Sequence, residues 1–280
     1  MHLVTYKANG SVHVGVLTGA SVTQVPGVNS MLELIEAGPG ALEDLVPGVG
    51  RTIPMSPSRL LAPLPRPGKI VAIGLNYMDH ARERGVEPPK QPLIFAKFTS
   101  SVTGPGAPIR WDPTLAEKVD YEVELGVVIG REARNVSEAD ALSHVFGYTV
   151  LNDVTARDMQ RGDGQWVRGK SLDTFCPMGP AIVTADEIRD PQTLSIRSKV
   201  NGETMQSGNT SDMIFSVADL IAYISRSFTL HPGDIIATGT PGGVGEFRDP
   251  PVFLQDGDVV TCEIERIGKL ENPCEACKGD

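Results

Sequence analysis

A short acidic run, Asp120-Tyr121-Glu122-Val123-Glu124-Leu125-Gly126-Val127-Val128-Ile129-Gly130, holds the residues best suited to chemistry. Its β-branched residues and alternation predict a strand. Residues two apart in a strand share a face, so Glu122 and Glu124 project together while Tyr121, Val123 and Leu125 fill the other face. Beyond Gly126 the run is apolar on both faces, which places the strand inside a sheet. Two adjacent carboxylates at the buried end of such a strand repel each other. A hard divalent cation with oxygen ligands compensates them, or one of them takes up a proton. A solvated polar face on an edge strand is the alternative that the spacing leaves open.

Other groups have suggestive spacing. His80 and Glu83 lie three apart in a stretch, residues 75–85, that reads as a short helix capped by Asn76 or Asp79 and ended by Gly85. Gly74 stands just before it and lets the chain turn sharply after strand 69–74. Residues three apart share a helix face, and a carboxylate that orients an imidazole makes a general-base pair; a surface His–Glu pair is the other reading. Asp153 stands at the end of strand 146–151, with Arg157 and Gln160 four and seven residues on, along one face of a helical turn. This reads as an anion-binding corner, or Asp153 is a plain helix N-cap. Lys170, after the loop 164–169, reads on its own as a surface lysine. Residues 239–245, Gly239-Thr240-Pro241-Gly242-Gly243-Val244-Gly245, follow a strand and can offer backbone N–H groups to an anion. They are no nucleotide fingerprint, because no Lys-Ser/Thr and no helix pattern follows.

Strands and turns must position these groups, since 30 Gly and 22 Pro in 280 residues favour short strands over long helices. Val12, Val14 and Val16 alternate with polar residues as a half-buried strand, on which His13 is a surface residue. Ser30-Met31-Leu32-Glu33 is a capping pattern that opens a helix over 31–37, stopped by Gly38-Pro39. Pro54, Pro57, Pro63, Pro65 and Pro67 mark a junction between a small β-rich N-terminal domain, 1–65, and a larger one, 66–280. Asn201-Gly202 predicts a type I′ hairpin, and Ser216 caps an amphipathic helix with Val217, Leu220, Ile221 and Ile224 on its core face. A strand over 259–264 leads into a second same-face pair, Glu263 and Glu265, so the spacing alone is not diagnostic. Cys274 and Cys277 form a lone C-x-x-C in a tail, without the second pair that a zinc site needs.

The net charge of −10, with no Lys/Arg run, argues against nucleic acid as a partner. No apolar stretch is long enough to span a bilayer, and the N-terminus enters a strand pattern without a signal-peptide core. Four cysteines give no disulfide framework, so a reducing cytoplasm is the expected compartment.

Five blocks occur in order: Gly74-Leu75-Asn76-Tyr77-Met78-Asp79-His80, Asp120-Tyr121-Glu122-Val123-Glu124-Leu125, Leu151-Asn152-Asp153, Gly169-Lys170-Ser171 and Thr238-Gly239-Thr240-Pro241. Together they resemble the fumarylacetoacetate hydrolase family over residues 66–273. The resemblance implies an α+β, β-rich fold, the fumarylacetoacetase-like mixed β-roll preceded by a small N-terminal β-rich domain, and a homodimer. It matches Glu122, Glu124 and Asp153 to the ligands of Mg²⁺, Mn²⁺ or Ca²⁺, and His80 and Glu83 to a catalytic pair on a segment that closes as a lid in relatives. It matches Lys170 to a lysine beside the metal, and Arg157, Gln160 and Thr240 to substrate-holding positions. Asp120, Glu263 and Glu265 match no functional position, and the C-x-x-C stays unexplained.

The implied chemistry is C–C hydrolysis of a 2,4-dioxo acid or related β-dicarbonyl, with water activated by His80 and Glu83 and a metal-stabilised enolate. Lys170 and Arg157 add positive charge where oxyanions develop. The same site could instead run an oxaloacetate-type decarboxylation or the isomerisation of a 2-hydroxy-diene-dioate; a non-catalytic binder of small dicarboxylates is the third class. Pocket shape is expected to lie in the loops 100–111 and 162–168.

Overall fold

The computed structural model describes residues 1–38, 50–56 and 59–277. Pro39 and Pro57, named above as helix stop and junction residue, lie outside these. The strands in chain order are β1 (His2–Ala8), β2 (Ser11–Thr18), β3 (Ser21–Gln24), β4 (Thr52–Pro54), β5 (Ile70–Gly74), β6 (Leu93–Lys97), β7 (Val102–Thr103), β8 (Ile109–Trp111) and β9 (Val119–Asp120). They continue as β10 (Val123–Ile129), β11 (Val145–Asn152), β12 (Thr155–Ala156), β13 (Cys176–Thr184), β14 (Ser195–Val200), β15 (Glu203–Asn209), β16 (Ile235–Ala237), β17 (Val259–Ile264) and β18 (Gly268–Ala276). The helices are α1 (Met31–Glu36), α2 (Met78–Glu83), α3 (Glu138–Ala141), α4 (Arg157–Asp163), α5 (Val167–Lys170) and α6 (Val217–Ser227).

An eleven-stranded mixed sheet runs β4-β3-β2-β1-β13-β11-β10-β16-β5-β6, with β7 added beside β13. A five-stranded sheet, β15-β14-β17-β18-β8, and a small β12-β9 pair complete the β structure. The N-terminal strands therefore extend the sheet that carries the acidic strand, joined at His2↔Val183. Alternation splits the core across the two faces of this sheet. Val123, Leu125, Val127 and Ile129 pack with Val71, Ile73 and the inner face of α6. Val128 packs on the other side with Ile70, Ala72 and Ile235. Glu122 and Glu124 share the parity of Val128, so both carboxylates project from one face, as the two-residue period requires.

Several sequence expectations shift in detail. The acidic strand starts at Val123, because Asn152 Oδ1 accepts from the Glu122 N–H at 3.0 Å and Gln206 Oε1 accepts from Val123 N–H at 3.0 Å. No side chain caps α2. Asn76 turns inward instead: its Nδ2 donates to the carbonyls of Phe215 and Thr238, and its Oδ1 accepts from Phe215 N–H. Asp153 is no N-cap either, since α4 opens at Ala156. The sharp turn after β5 falls at Leu75, whose φ is +56°, and not at Gly74. Gly74 serves packing, because a Cβ there would stand 2.6 Å from the Trp166 ring. Cys274 is buried within β18 and Cys277 is exposed just past the strand's end, so the C-x-x-C straddles the end of a strand and does not lie wholly in a tail.

Candidate active site

The buried ends of β10 and β11 meet beneath one cavity. Asp153 follows β11, and its N–H donates to the Glu122 carbonyl at 2.8 Å, which fixes the two carboxylates side by side. Glu122, Glu124 and Asp153 each bring an oxygen to within 4.8 Å of the others, and all three are buried. Negative charge at this density out of water must be neutralised.

Two lysines and an arginine do most of that. Lys170 Nζ, at the end of α5, donates to Glu122 Oε2 at 2.8 Å, Asp153 Oδ2 at 2.5 Å and Thr155 Oγ1 at 2.8 Å. Lys97 Nζ, from the end of β6, donates to Asp153 Oδ1 at 2.6 Å and to the carbonyls of Val154 and Lys170. Arg157 spans Asp120 (Nε to Oδ2, 2.9 Å), Glu122 (Nη2 to Oε1, 2.6 Å) and Gln160 (Nη1 to Oε1, 3.1 Å). Burial alone would raise the Glu122 pKa, yet the Lys170 and Arg157 cations outweigh it and hold this carboxyl well below the usual range. Glu124 is the opposite case. Burial, then the Asp153 and Glu122 charges, push its pKa well above the ordinary value. Among the described residues it has no ion-pair partner, and its one hydrogen bond comes from the Gly239 N–H at 2.9 Å.

The glycine-rich loop does bind anions through its backbone, and these anions are the protein's own carboxylates. Gly239 N–H serves Glu124, Gly243 N–H donates to Glu83 Oε1 at 2.9 Å, and Gly245 N–H donates to Asp120 Oδ1 at 2.8 Å. Thr240 Oγ1 donates to the Val123 carbonyl at 2.8 Å and accepts from Gln206 Nε2 at 2.7 Å. On the cavity wall, His80 Nδ1 faces Glu83 Oε2 at 3.1 Å, and the imidazole leans on Phe247 with ring centroids 5.9 Å apart.

The cavity measures about 360 Å³, at the small end of ligand pockets. Glu122, Glu124, Arg157, Gln160, Lys170, Thr240 and His80 line it. Asp153 lies just beneath and Glu83 just behind His80, so all nine residues named from the sequence come together. The loop 162–168 contributes Gly164 and Trp166 to the wall, as expected. The loop 100–111 contributes nothing; Glu246 and Phe247 and the end of α2 take its place. Sequence reasoning also missed Lys97, Asn152 and Gln206. Lys97 shares the inward parity of Phe95 on β6, a signal that alternation does contain.

With this geometry in view, comparison with known proteins is decisive for the family. Residues 69–275 match the family model described as fumarylacetoacetate (FAA) hydrolase C-terminal. The chain belongs to the fumarylacetoacetate hydrolase family. It is 50% identical over 248 residues to the mitochondrial oxaloacetate tautomerase of Xenopus laevis, covering 87% of this chain and 77% of that protein. It is 45% identical over 286 residues to the mitochondrial oxaloacetate tautomerase of Homo sapiens, covering 97% and 91%. Among solved structures, fumarylacetoacetate hydrolase from psychrophilic Exiguobacterium antarcticum aligns with a TM-score of 0.91 at 41% identity, over 99% of this chain and 100% of that one. The 2-hydroxyhepta-2,4-diene-1,7-dioate isomerase from Mycobacterium marinum aligns with a TM-score of 0.82 at 37% identity, over the whole of both chains. The β-rich mixed-sheet fold expected of the family is the fold observed. The chain is thus an enzyme of this family, whose members act on small organic acids. No helix among the described residues is long and apolar enough to cross a membrane.

The donor set suits a divalent cation. Three buried carboxylates converge, all ligands are hard oxygens, and among the described residues no cation pairs with Glu124. Oxygen ligands of this kind suit Mg²⁺, Mn²⁺ and Ca²⁺ alike.

Proposed function

We propose that the protein interconverts the keto and enol forms of a small 2-oxo dicarboxylic acid of the oxaloacetate class, using a divalent cation at Glu122, Glu124 and Asp153. The observation that carries it is one small cavity with Glu122 and Glu124 on its floor, Asp153 converging with them just beneath, and His80 on its wall. The comparisons favour this reaction among those such a site can run, since relatives alike over most of their length are named oxaloacetate tautomerases. They favour it over the C–C hydrolysis that the sequence motifs alone suggest.

The bound cation supplies Lewis-acid polarisation of the 2-oxo group. The chain's own residues do the rest. With a proton on Nδ1 facing Glu83, His80 presents Nε2 as the base. It takes a proton from C3, the electron pair forms the C2–C3 double bond, and the 2-oxygen takes up a proton; no water is consumed. Lys170 and Lys97 hold Asp153 and Glu122 in place, since their donors are spent on these carboxylates and on nearby carbonyl and hydroxyl oxygens. Gln160 and Thr240 line the cavity where substrate oxygens enter, beside Arg157. A homodimer and a reducing compartment belong to the same reading, the latter because Cys176, Cys262, Cys274 and Cys277 are all free.

The test offers enol-oxaloacetate, oxaloacetate and an acylpyruvate to the Mg²⁺-loaded protein, alongside His80→Ala and Glu124→Gln. Metal-dependent ketonisation of the enol, lost in both variants, upholds the proposal. Acylpyruvate cleavage without ketonisation restores the hydrolase reading, which likeness to a fumarylacetoacetate hydrolase structure keeps in view. Release of CO₂ from oxaloacetate alone moves the assignment to a decarboxylase.

A further inference from the structure

The proposed substrate carries a second carboxylate, and the inference here rests on that reading. Four long cationic side chains line the cavity: Arg84, Arg157, Arg161 and Lys170. Three are committed to the protein. Lys170 spends its donors on Glu122, Asp153 and Thr155, and Arg157 spends its own on Asp120, Glu122 and Gln160. Arg161 pairs with Glu246 at 2.6 Å. Arg84 differs. It follows Glu83 at the end of α2, and among the described residues its guanidinium has no ion pair and no hydrogen bond. Its guanidinium lies over the ring of Phe247, whose centroid is 5.5 Å from the guanidinium carbon. The same ring supports His80.

This arrangement has the features of an unfilled carboxylate receptor. A guanidinium over an aromatic ring uses its face and keeps its N–H edge free for bidentate hydrogen bonds. The ring contact also restricts the side chain before the ligand arrives, which lowers the entropy lost on binding. The cavity already contains Glu122, Glu124 and Glu246, so a dianion entering it needs an uncommitted cation to offset repulsion. Arg84 is the lining cation that can provide one without breaking a protein ion pair.

We infer that Arg84 binds the carboxylate remote from the 2-oxo group and is the residue that selects dicarboxylates over monocarboxylates. Its position next to Glu83 ties that recognition to the helix that carries His80. The side chain is exposed, so its gain is modest, about tenfold in selectivity.

The test compares kcat/KM for enol-oxaloacetate with that for its 4-methyl ester, in the wild type, Arg84→Ala, Arg84→Lys and Arg161→Ala. The diacid-to-ester ratio should fall about tenfold in Arg84→Ala, through KM more than kcat, and recover in part in Arg84→Lys. An unchanged ratio in Arg84→Ala, or a fall in Arg161→Ala instead, overturns the assignment. A second measurement does not depend on turnover: calorimetric binding of malate and of 2-hydroxybutanoate to the Mg²⁺-loaded protein. If the wild type ketonises nothing, the tautomerase reading has failed. The malate preference then still decides Arg84: its loss in Arg84→Ala upholds the receptor, and its absence or persistence overturns it.

Discussion

The chain contains the same Glu-x-Glu spacing twice, and the two copies behave differently. Glu122 and Glu124 are buried, 5% and 1% exposed, and converge with Asp153. Glu263 ends up opposite Arg197 at 3.3 Å with half-exposed side chains, and Glu265 accepts from the Ser195 N–H at 3.1 Å. What separates them is the partner strand. Register sets Val123 against Asn152, so the next residue of β11's chain, Asp153, lands beside the pair. Register sets Glu263 against Arg197, a cation, on the exposed face of the five-stranded sheet. Spacing puts two carboxylates on one face; the neighbouring strand decides whether they concentrate charge or merely balance it.

The largest expected consequence is catalytic. Glu122→Gln or Glu124→Gln should lower metal-dependent turnover by about a thousandfold, the equivalent of the several kcal/mol that a Lewis acid contributes. Glu263→Gln should stay within about twofold of wild type. Calorimetric metal titration alongside the assay checks this, and equal losses at both pairs would dissolve the contrast.

Stability should follow the same division. Lys97→Met leaves Asp153 buried without one of its two cations and should cost about 3–5 kcal/mol, read as a lower urea midpoint. Removing the exposed cation with Arg197→Ala should cost at most about 1 kcal/mol. A Lys97→Met protein as stable as wild type would mean that Lys170 alone neutralises the floor.

A smaller effect comes from pH, and its sign differs between the two buried glutamates. Glu124 has a raised pKa in the metal-free fold, so the native state binds more protons than the unfolded chain. Its contribution is full below the ordinary glutamate pKa and is lost as pH rises through the folded value. Glu122 has a lowered pKa, so its contribution is present above the ordinary value and disappears as pH falls. Melting curves of metal-free protein should therefore lose stability toward higher pH, and Glu124→Gln should flatten that slope while leaving the acid limb. An unchanged slope in Glu124→Gln would show that the proton resides elsewhere.

Much of this site is legible in the chain because its first contacts are local. Two-residue parity gives Glu122 and Glu124, and a three-residue step gives His80 and Glu83. The ordered blocks then add Asp153, Lys170, Arg157, Gln160 and Thr240. The supporting residues are not local. Lys97 reaches Asp153 across 56 positions, and Gln206 reaches Val123 across 83. Lysine and glutamine at strand positions look like surface residues until the neighbouring strand is known. Asn76 shows how burial overrides a local rule, since a residue suited to capping α2 instead ties the carbonyls of Phe215 and Thr238. The fold class is readable from turn density and alternation. That β1 pairs with β13, 180 residues along the chain, is set by long-range register that no local pattern carries.

Two glycines give the finest form of the comparison. Gly239, beside the first pair, has φ +96°, and a Cβ there would meet the Asn76 Cβ at 2.7 Å. Gly202, in the hairpin of β14 and β15 on the sheet of the second pair but at the opposite end of β17, has φ +84° and open space around it. Both substitutions by alanine incur left-handed backbone strain of about 1 kcal/mol. Gly239→Ala adds a clash with Asn76 and shifts the one N–H that holds Glu124, so its total should reach about 2–3 kcal/mol. It should also weaken metal binding, which Gly202→Ala should leave untouched. Equal melting shifts for the two variants, with equal metal affinity, would mean that the glycine-rich loop can yield without disturbing Glu124, and that its backbone is not what positions that carboxylate.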